Sequence, residues 1–483
     1  VDSQLRSEVV APGFRQSAGF FDPLASEGEY RIEESEGRLP EGLVGTLYRN
    51  GPGRWEAGGQ VLGHLFDGDG MLSMFAISDG GVRYRNRYVR TNHFLGANRG
   101  EGVPQRGVGT MRRGGPLANA LRLPANVANT NVVMHAGELL ALWEAGHPHA
   151  LDPDTLETVG REDFGGGLRW LGAFSAHPKV DPRSGDLYNF GLEILPWPKL
   201  RCYRVDRQGR LHRLRDVWLP MPVWNHDMAL TERSLVFVLD PMSPALRRMP
   251  AVLAGLRPIE SALSYRASRG TTVVVVPRDG SRPRVLQTEA LMHFHITNAF
   301  EDGSDTVVDL VSWNLDWDEI SQGLRNFRSD LGRLEGGQVT RLRITPGGRV
   351  LRERLAGGTG EFPQYDWRRT TQRYRYAYLA SRRGRSALPN AIVKCDIESD
   401  TETAHVLPAE NAVSEPIFVP AHPTAAEDDG WLLTVAYDPA HHRSRLLVLD
   451  AGDPEADALY VGHLRHHVPM GFHGTFTSRV ARA

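Results

Sequence analysis

The chain has 483 residues, 41% hydrophobic and 24% charged, with 51 Gly and 31 Pro. That is too apolar for general disorder, and the glycines follow no period of three, which excludes collagen. Its 56 basic and 58 acidic residues leave a formal net charge of −2 with no basic stripe, so no nucleic-acid partner is expected.

In chain order the elements are hairpins: an alternating apolar run, a short polar turn, and a second alternating run. The turns fall at Asp79, Asp152, Asp206, Asp279, Thr345, Asp396 and Asp450, at intervals of 51–73 residues. Period-2 β-branched runs bounded by Asp, Gly and Pro are the signature of strands. Helical periodicity is scarce, with Ser243–Leu256 and 317–326 the best segments, both read as excursions between sheets. Seven sheets arranged radially would protect most strand edges. The expected fold is all-β, a seven-bladed propeller whose helical and loop excursions cap the axis. An array of β-sandwiches is the alternative, disfavoured because no Ser- or Gly-rich linker splits the chain. Residues 1–483 are therefore read as one domain, with 1–37 as an N-terminal extension.

Cys202 and Cys395 allow at most one disulfide, and two free thiols in a cytoplasmic protein is the simpler reading. The start, Val1 to Gln4, has neither the basic nor the apolar region of a signal peptide. No run of about 18 apolar residues exists to span a membrane.

Of 18 histidines, most sit in polar contexts such as His441–His442. Four do not: His177 after Phe-Ser-Ala, His226 after Val-Trp-Asn, His295 after His-Phe, and His473 after Met-Gly-Phe. On a propeller, residues of different blades converge on the axis, so distance in sequence does not prevent a cluster. Each alone reads as a core histidine or a ligand. Imidazole suits Fe, Zn, Cu and Ni, and the absence of closely spaced cysteines argues against structural zinc. Glu144, Glu361 and Glu415 stand in similarly apolar contexts, as surface acids or as partners for ligand histidines.

Nine segments in order then carry a resemblance: LYRNGPG (47–53), FDGDGM (66–71), ANTN (128–131), FSAHPKVDP (174–182), NHDM (225–228), FHITNAFED (294–302), SEPIFVP (414–420), AEDDGWLL (426–433) and FHG (472–474). From about Arg38 to Phe476 the chain closely resembles the carotenoid cleavage oxygenases, which include apocarotenoid-, stilbene- and isoeugenol-cleaving enzymes. The resemblance implies a seven-bladed propeller holding Fe(II) on His177, His226, His295 and His473. In the third motif it selects His295 over its neighbour His293. Outer-sphere glutamates match Glu144, Glu361 and Glu415, which would orient three imidazoles. Thr130 matches a residue that restricts an open position at the metal. The implied reaction, with O2 as co-substrate, splits an electron-rich C=C bond in an apolar tunnel into two carbonyl fragments.

The stilbene-cleaving relatives carry a Lys before the first outer-sphere Glu and a Tyr upstream that together bind a phenol. Here Trp143 precedes Glu144, and residues 89–129 contain neither Lys nor Tyr. The LWEAGHPH segment (142–149) looks instead like the apocarotenoid-cleaving branch, with stilbenoids or phenylpropenes as the alternative. A Trp at that position is equally served by packing.

Such a substrate partitions into bilayers, and Leu117, Leu121 and Leu123, preceded by Arg112 and Arg113, match an apolar patch that dips into the membrane. A cytoplasmic enzyme with peripheral contact to the inner membrane is expected. The bland reading of that patch is a loop helix packed on the propeller, and Ser243–Leu256 is a second apolar candidate. A rival of another class is a silent propeller that binds lipid or a partner.

Overall fold

All seven turns close hairpins in a computed structural model that describes residues 14–482 apart from 195, 316, 330 and 335. Residues 1–13 of the expected extension lie outside the described part. The strands form antiparallel sheets set as the blades of a seven-bladed propeller.

Blade 1 runs outward from Gly474–Thr477 through Gly45–Arg54, Asp69–Ser78 and Gly81–Tyr88 to Gly28–Arg31. Blade 2 is Asn131–His135, Glu138–Leu142, His149–Leu151 and Thr158–Arg161. Blade 3 is Lys179–Val180, Leu187–Glu193, Lys199–Val205 and Leu211–Trp218. Blade 4 is Ala229–Leu230, Ser234–Leu239, Thr271–Pro277 and Arg284–Thr288. Blade 5 begins with Met292–Asp302, Asp305–Trp313 and Gly337–Ile344. The long strand Val350–Gln364 closes blade 5 and opens blade 6, which continues as Tyr376–Ser381, Ala391–Asp396 and Thr401–Val406. Blade 7 holds Ile417–Pro420, Gly430–Asp438, Arg443–Asp450 and Tyr460–His463, edged by Ser35–Gly37.

The ring is closed twice. The C-terminal strand pairs with Gly45–Arg54 in blade 1, while the N-terminal Ser35–Gly37 pairs with the outer strand of blade 7. Both chain ends thus cover edges that would otherwise be open to pairing. Apolar residues of alternate register pack blade against blade; Leu200, Phe190, Phe237 and Val274, for instance, join blades 3 and 4. Cys202 and Cys395 are buried, free thiols in blades 3 and 6.

The excursions gather at one end. Phe14, Phe21, Trp55, Leu65, Trp317, Ile320 and Phe327 form one buried cluster that reaches Phe294 and Phe472 near the axis. Glu260 Oε2 lies 2.8 Å from His64 Nε2 and Glu260 Oε1 accepts from Arg325 Nη1 at 3.0 Å, tying three excursions together. The expected helix at 317–326 is present as Trp317–Arg325. The one at Ser243–Leu256 is shorter: only Met249–Leu253 is α-helical, with Pro250 at its first turn. Residues 116–124 contain helix only within Gly115–Asn119, and Leu121 turns the chain at φ 53°. Gly255 (φ 71°) lets that segment close in, since a Cβ there would stand 2.5 Å from Pro116 O.

No helix among the described residues is long and apolar enough to cross a membrane.

Candidate metal centre

Each blade sends one side chain to the top of the axis. His177 stands just before the inner strand of blade 3 and His226 before that of blade 4. His295 lies within the inner strand of blade 5, and His473 directly precedes that of blade 1. The other three blades supply carboxylates: Glu144 from blade 2, Glu361 from blade 6 and Glu415 from blade 7.

The four histidines are buried, and one ligand atom of each lies within 4.8 Å of all the others. Their rings stand 4.2 Å (His177–His226), 4.7 Å (His177–His473), 4.8 Å (His295–His473) and 5.1 Å (His226–His295) apart. His293 is excluded from the group: its Nδ1 and backbone N–H both bond to Asp240 at 2.9 Å. That leaves His295, as the resemblance implied.

Three imidazoles give their Nδ1–H to a carboxylate. His226 donates to Glu144, His295 to Glu361 at 2.5 Å, and His473 to Glu415 at 2.9 Å. A neutral ring that donates from Nδ1 carries a lone pair on Nε2. Yet His295 Nε2 lies 3.3 Å from His226 Nε2 and 3.1 Å from His473 Nε2. His177 Nε2 is buried with no hydrogen-bond partner among the described residues. Unprotonated nitrogens pointed at one another repel, and a cation between them removes the conflict. The donor set therefore fits a metal ion held by four neutral imidazoles.

The electrostatics agree. Burial and the other three imidazoles hold His177 well below the usual histidine range, and burial brings His473 down to about 4. Burial also pulls His226 down, but Glu144, with Asp227 and Glu361, outweighs it and leaves that ring above its ordinary value. Burial raises Glu361 and Glu415, but His295 and His473 outweigh it and both carboxyls sit below their usual value. A metal ion takes the place of the proton that these carboxylates would otherwise draw onto the rings.

The carboxylates are themselves anchored. Glu361 accepts from Trp313 Nε1 at 2.5 Å and from Phe362 N at 2.8 Å. Glu415 accepts from Arg49 Nη1 at 2.9 Å, Gln364 Nε2 at 2.8 Å and Gly474 N at 2.9 Å. Sequence reasoning assigned Arg49, Gln364 and Trp313 no role, although Arg49 lies within LYRNGPG. In the same motif Gly51 carries no Cβ because one would stand 2.6 Å from Gly471 Cα, on the segment leading to His473.

Aromatic rings surround the imidazoles. Phe294 stands edge-on to His226 at 5.6 Å, and Phe362 lies 5.4 Å from His295 and 5.3 Å from His473. Thr130 and Trp143 make no hydrogen bond to the four histidines among the described residues. The Thr130 hydroxyl donates to Asn129 Oδ1 at 3.2 Å, and Trp143 is buried against Ala125, Val127 and Val108. Leu117, Leu121 and Leu123 are 93%, 82% and 68% exposed at the capped end.

Residues 21–478 match the family model described as retinal pigment epithelial membrane protein (RPE65). The chain is 36% identical over 465 residues to the apocarotenoid-15,15'-oxygenase of Synechocystis sp., covering 93% of this chain and 94% of that one. It is 30% identical to the isoeugenol monooxygenase of Pseudomonas nitroreducens, covering 96% and 98%. A crystal structure of cobalt-substituted Synechocystis ACO superimposes with a TM-score of 0.89 at 33% identity, over 96% of this chain and 98% of that chain. A four-histidine axis in a propeller of this build, with a match running nearly end to end, makes the chain an oxidoreductase of the RPE65/carotenoid cleavage oxygenase family.

Proposed function

We propose that the four histidines hold Fe(II) and that the enzyme cleaves one C=C bond of an apocarotenoid with O2, giving two carbonyl products. The observation that carries the iron reading is the set of facing Nε2 atoms, which fits a dication. Iron bound there supplies the oxygen chemistry that splits an electron-rich alkene. The balance is one alkene and one O2 in, two carbonyl fragments out.

The protein's own contribution is positional. The carboxylates Glu144, Glu361 and Glu415 keep the proton on Nδ1 of His226, His295 and His473, so each Nε2 stays free to bind. They also offset the metal's charge without occupying its coordination sites. Phe294 and Phe362 keep bulk water from the rings and offer an apolar wall to the polyene. In this reading Thr130 limits access to an open position, and no acid–base side chain is needed beside the reacting bond.

The apocarotenoid is favoured by Trp143 before Glu144, by the lack of Lys and Tyr in residues 89–129, and by the greater identity to an apocarotenoid oxygenase than to an isoeugenol enzyme. The test is to incubate the iron-loaded enzyme with a β-apocarotenal and, separately, a 4-hydroxystilbene, and to identify the aldehydes. Retinal-type aldehyde is expected from the first, and turnover of the stilbene alone would overturn the assignment. Trp143→Lys is expected to raise stilbene turnover at least several-fold. The silent-propeller rival predicts no product from either substrate.

The capped end is read as docking on a membrane surface. Leu121 N–H bonds to Leu253 O at 2.9 Å, which brings the exposed Leu117, Leu121 and Leu123 segment beside the segment carrying exposed Leu253 and Leu256. Inserting a leucine contributes about 1.5–3 kcal/mol, so replacing Leu117, Leu121 and Leu123 by Asp should weaken binding to phosphatidylcholine vesicles by about 100-fold or more. Vesicle co-sedimentation checks it, and unchanged pelleting would remove the docking reading.

A further inference from the structure

The NHDM segment carries a buried carboxylate, Asp227, directly after the ligand His226. Its Oδ1 accepts from Met228 N at 2.6 Å, and its Oδ2 accepts from Ile296 N at 2.8 Å. Lys179 Nζ stands 2.9 Å from Oδ1 and 3.2 Å from Oδ2.

These partners lie next to the ligands. Lys179 is two residues past His177 in blade 3, Met228 two past His226 in blade 4, and Ile296 directly after His295 in blade 5. No ladder hydrogen bonds join the inner strands of these blades to one another: Lys179–Val180 pairs outward with Leu187–Glu193, Ala229–Leu230 with Ser234–Leu239, and Met292–Asp302 with Asp305–Trp313. Blade 5 is also irregular here, its register shifting between His293 and Ile296 and again before Asn298. Packing of the blades aside, no backbone ladder among the described residues sets the spacing of these three ligand-bearing segments, and one carboxylate touches all three.

We infer that Asp227 is a positioning residue that fixes the span between His177, His226 and His295, and so tunes the metal centre without touching it. The inference rests on the reading of the four histidines as the metal site. Lys179 supplies the charge that lets a carboxylate remain buried there and makes the link to blade 3. Glu144, Glu361 and Glu415 orient rings one by one, whereas Asp227 sets the backbones from which the rings project. A neutral amide at this position would be a poor replacement. Asn has one acceptor oxygen, so its NH2 must face Lys179 or a backbone N–H, donor against donor.

The test uses the full-length protein, stripped of metal and titrated anaerobically with Co(II). Affinity is read by chelator competition and ligand geometry by the visible d–d bands. The variants are Asp227→Asn, Lys179→Gln and, as a matched loss of a partly buried ion pair far from the axis, Lys394→Gln, whose partner is Asp428. The wild type should bind one equivalent, and Lys394→Gln should match it in affinity and spectrum even where its unfolding midpoint falls. Asp227→Asn should bind Co(II) about tenfold more weakly or worse, in the range seen when groups that support metal ligands are lost. Lys179→Gln should move in the same direction by a smaller factor. Affinities of both axial variants within twofold of Lys394→Gln would overturn the inference. If Asp227→Asn does not fold, Lys179→Gln decides alone on the same criterion. A wild type that takes up no Co(II) would instead overturn the metal-site reading on which the inference stands.

Discussion

Glu415→Ala is expected to cost the folded state about 3–5 kcal/mol, the range for removing one partner of a buried ion pair. Glu415 and Arg49 are both almost fully buried, and among the described residues the guanidinium has no second carboxylate: its other bonds run to the carbonyls of Glu415 and Phe472. Three further donors also lose their acceptor, namely His473 Nδ1, Gln364 Nε2 and Gly474 N. Gly474 opens the strand that closes the ring, so the damage should spread to the pairing of the C-terminus with blade 1. Urea unfolding of metal-free protein measures the effect, and a midpoint equal to the wild type would contradict it. The double substitution Arg49→Met with Glu415→Met separates two roles. It removes the unpaired charge and should recover part of the stability, because apolar replacement of a buried pair is often neutral. It should not recover tight metal binding, since His473 still lacks the acceptor that fixes its tautomer.

Local patterning explains why the blades were legible and their closure was not. Hairpins such as Thr271–Pro277 with Arg284–Thr288 announce themselves by β-branched alternation around an Asp-Gly turn. Gly28–Arg31 and Ser35–Gly37 carry no such pattern, because they are short edge strands whose partners, Gly81–Tyr88 and Tyr460–His463, lie far off in sequence. Val350–Gln364 is one continuous strand whose first half pairs in blade 5 and whose second half pairs in blade 6, a sharing that hairpin patterning alone does not convey.

The candidate site shows the same division. His177, His226, His295 and His473 were recognisable from apolar flanks and motif resemblance, but neither shows that their Nε2 atoms face one another. That follows from radial symmetry, a property of the whole ring. Asp227, Arg49 and Trp313 act through contacts 48 to 366 residues away in sequence, which local patterning does not reveal. Trp143, the residue beside Glu144 expected at the substrate pocket, is buried against Val127 and Ala125.

His295→Ala should leave less than about a tenth of an equivalent of bound metal and abolish alkene cleavage, because ligand loss removes both affinity and geometry. His295 Nε2 lies 3.3 Å from His226 Nε2 and 3.1 Å from His473 Nε2. Without it the remaining three donors no longer enclose a common point from the blade 5 side. Glu361 would keep Trp313 and the Phe362 N–H as donors, so the fold should survive and the loss should be specific to the site. Iron content after anaerobic purification, followed by addition of Fe(II), makes the measurement. Wild-type protein should hold close to one equivalent and unfold at a higher temperature with metal than without, since a ligand that binds only the native state stabilises it. His295→Ala should show no such rise. Glu361→Gln should fall between the two, about 10–100-fold weaker in affinity, because it spoils the hydrogen bond to Nδ1 while leaving the ligand nitrogen in place. A wild type with near-zero iron and no recovery on adding Fe(II) would remove the oxygenase reading altogether. A graded series, by contrast, would assign the metal to the axis and the tuning to the carboxylates around it.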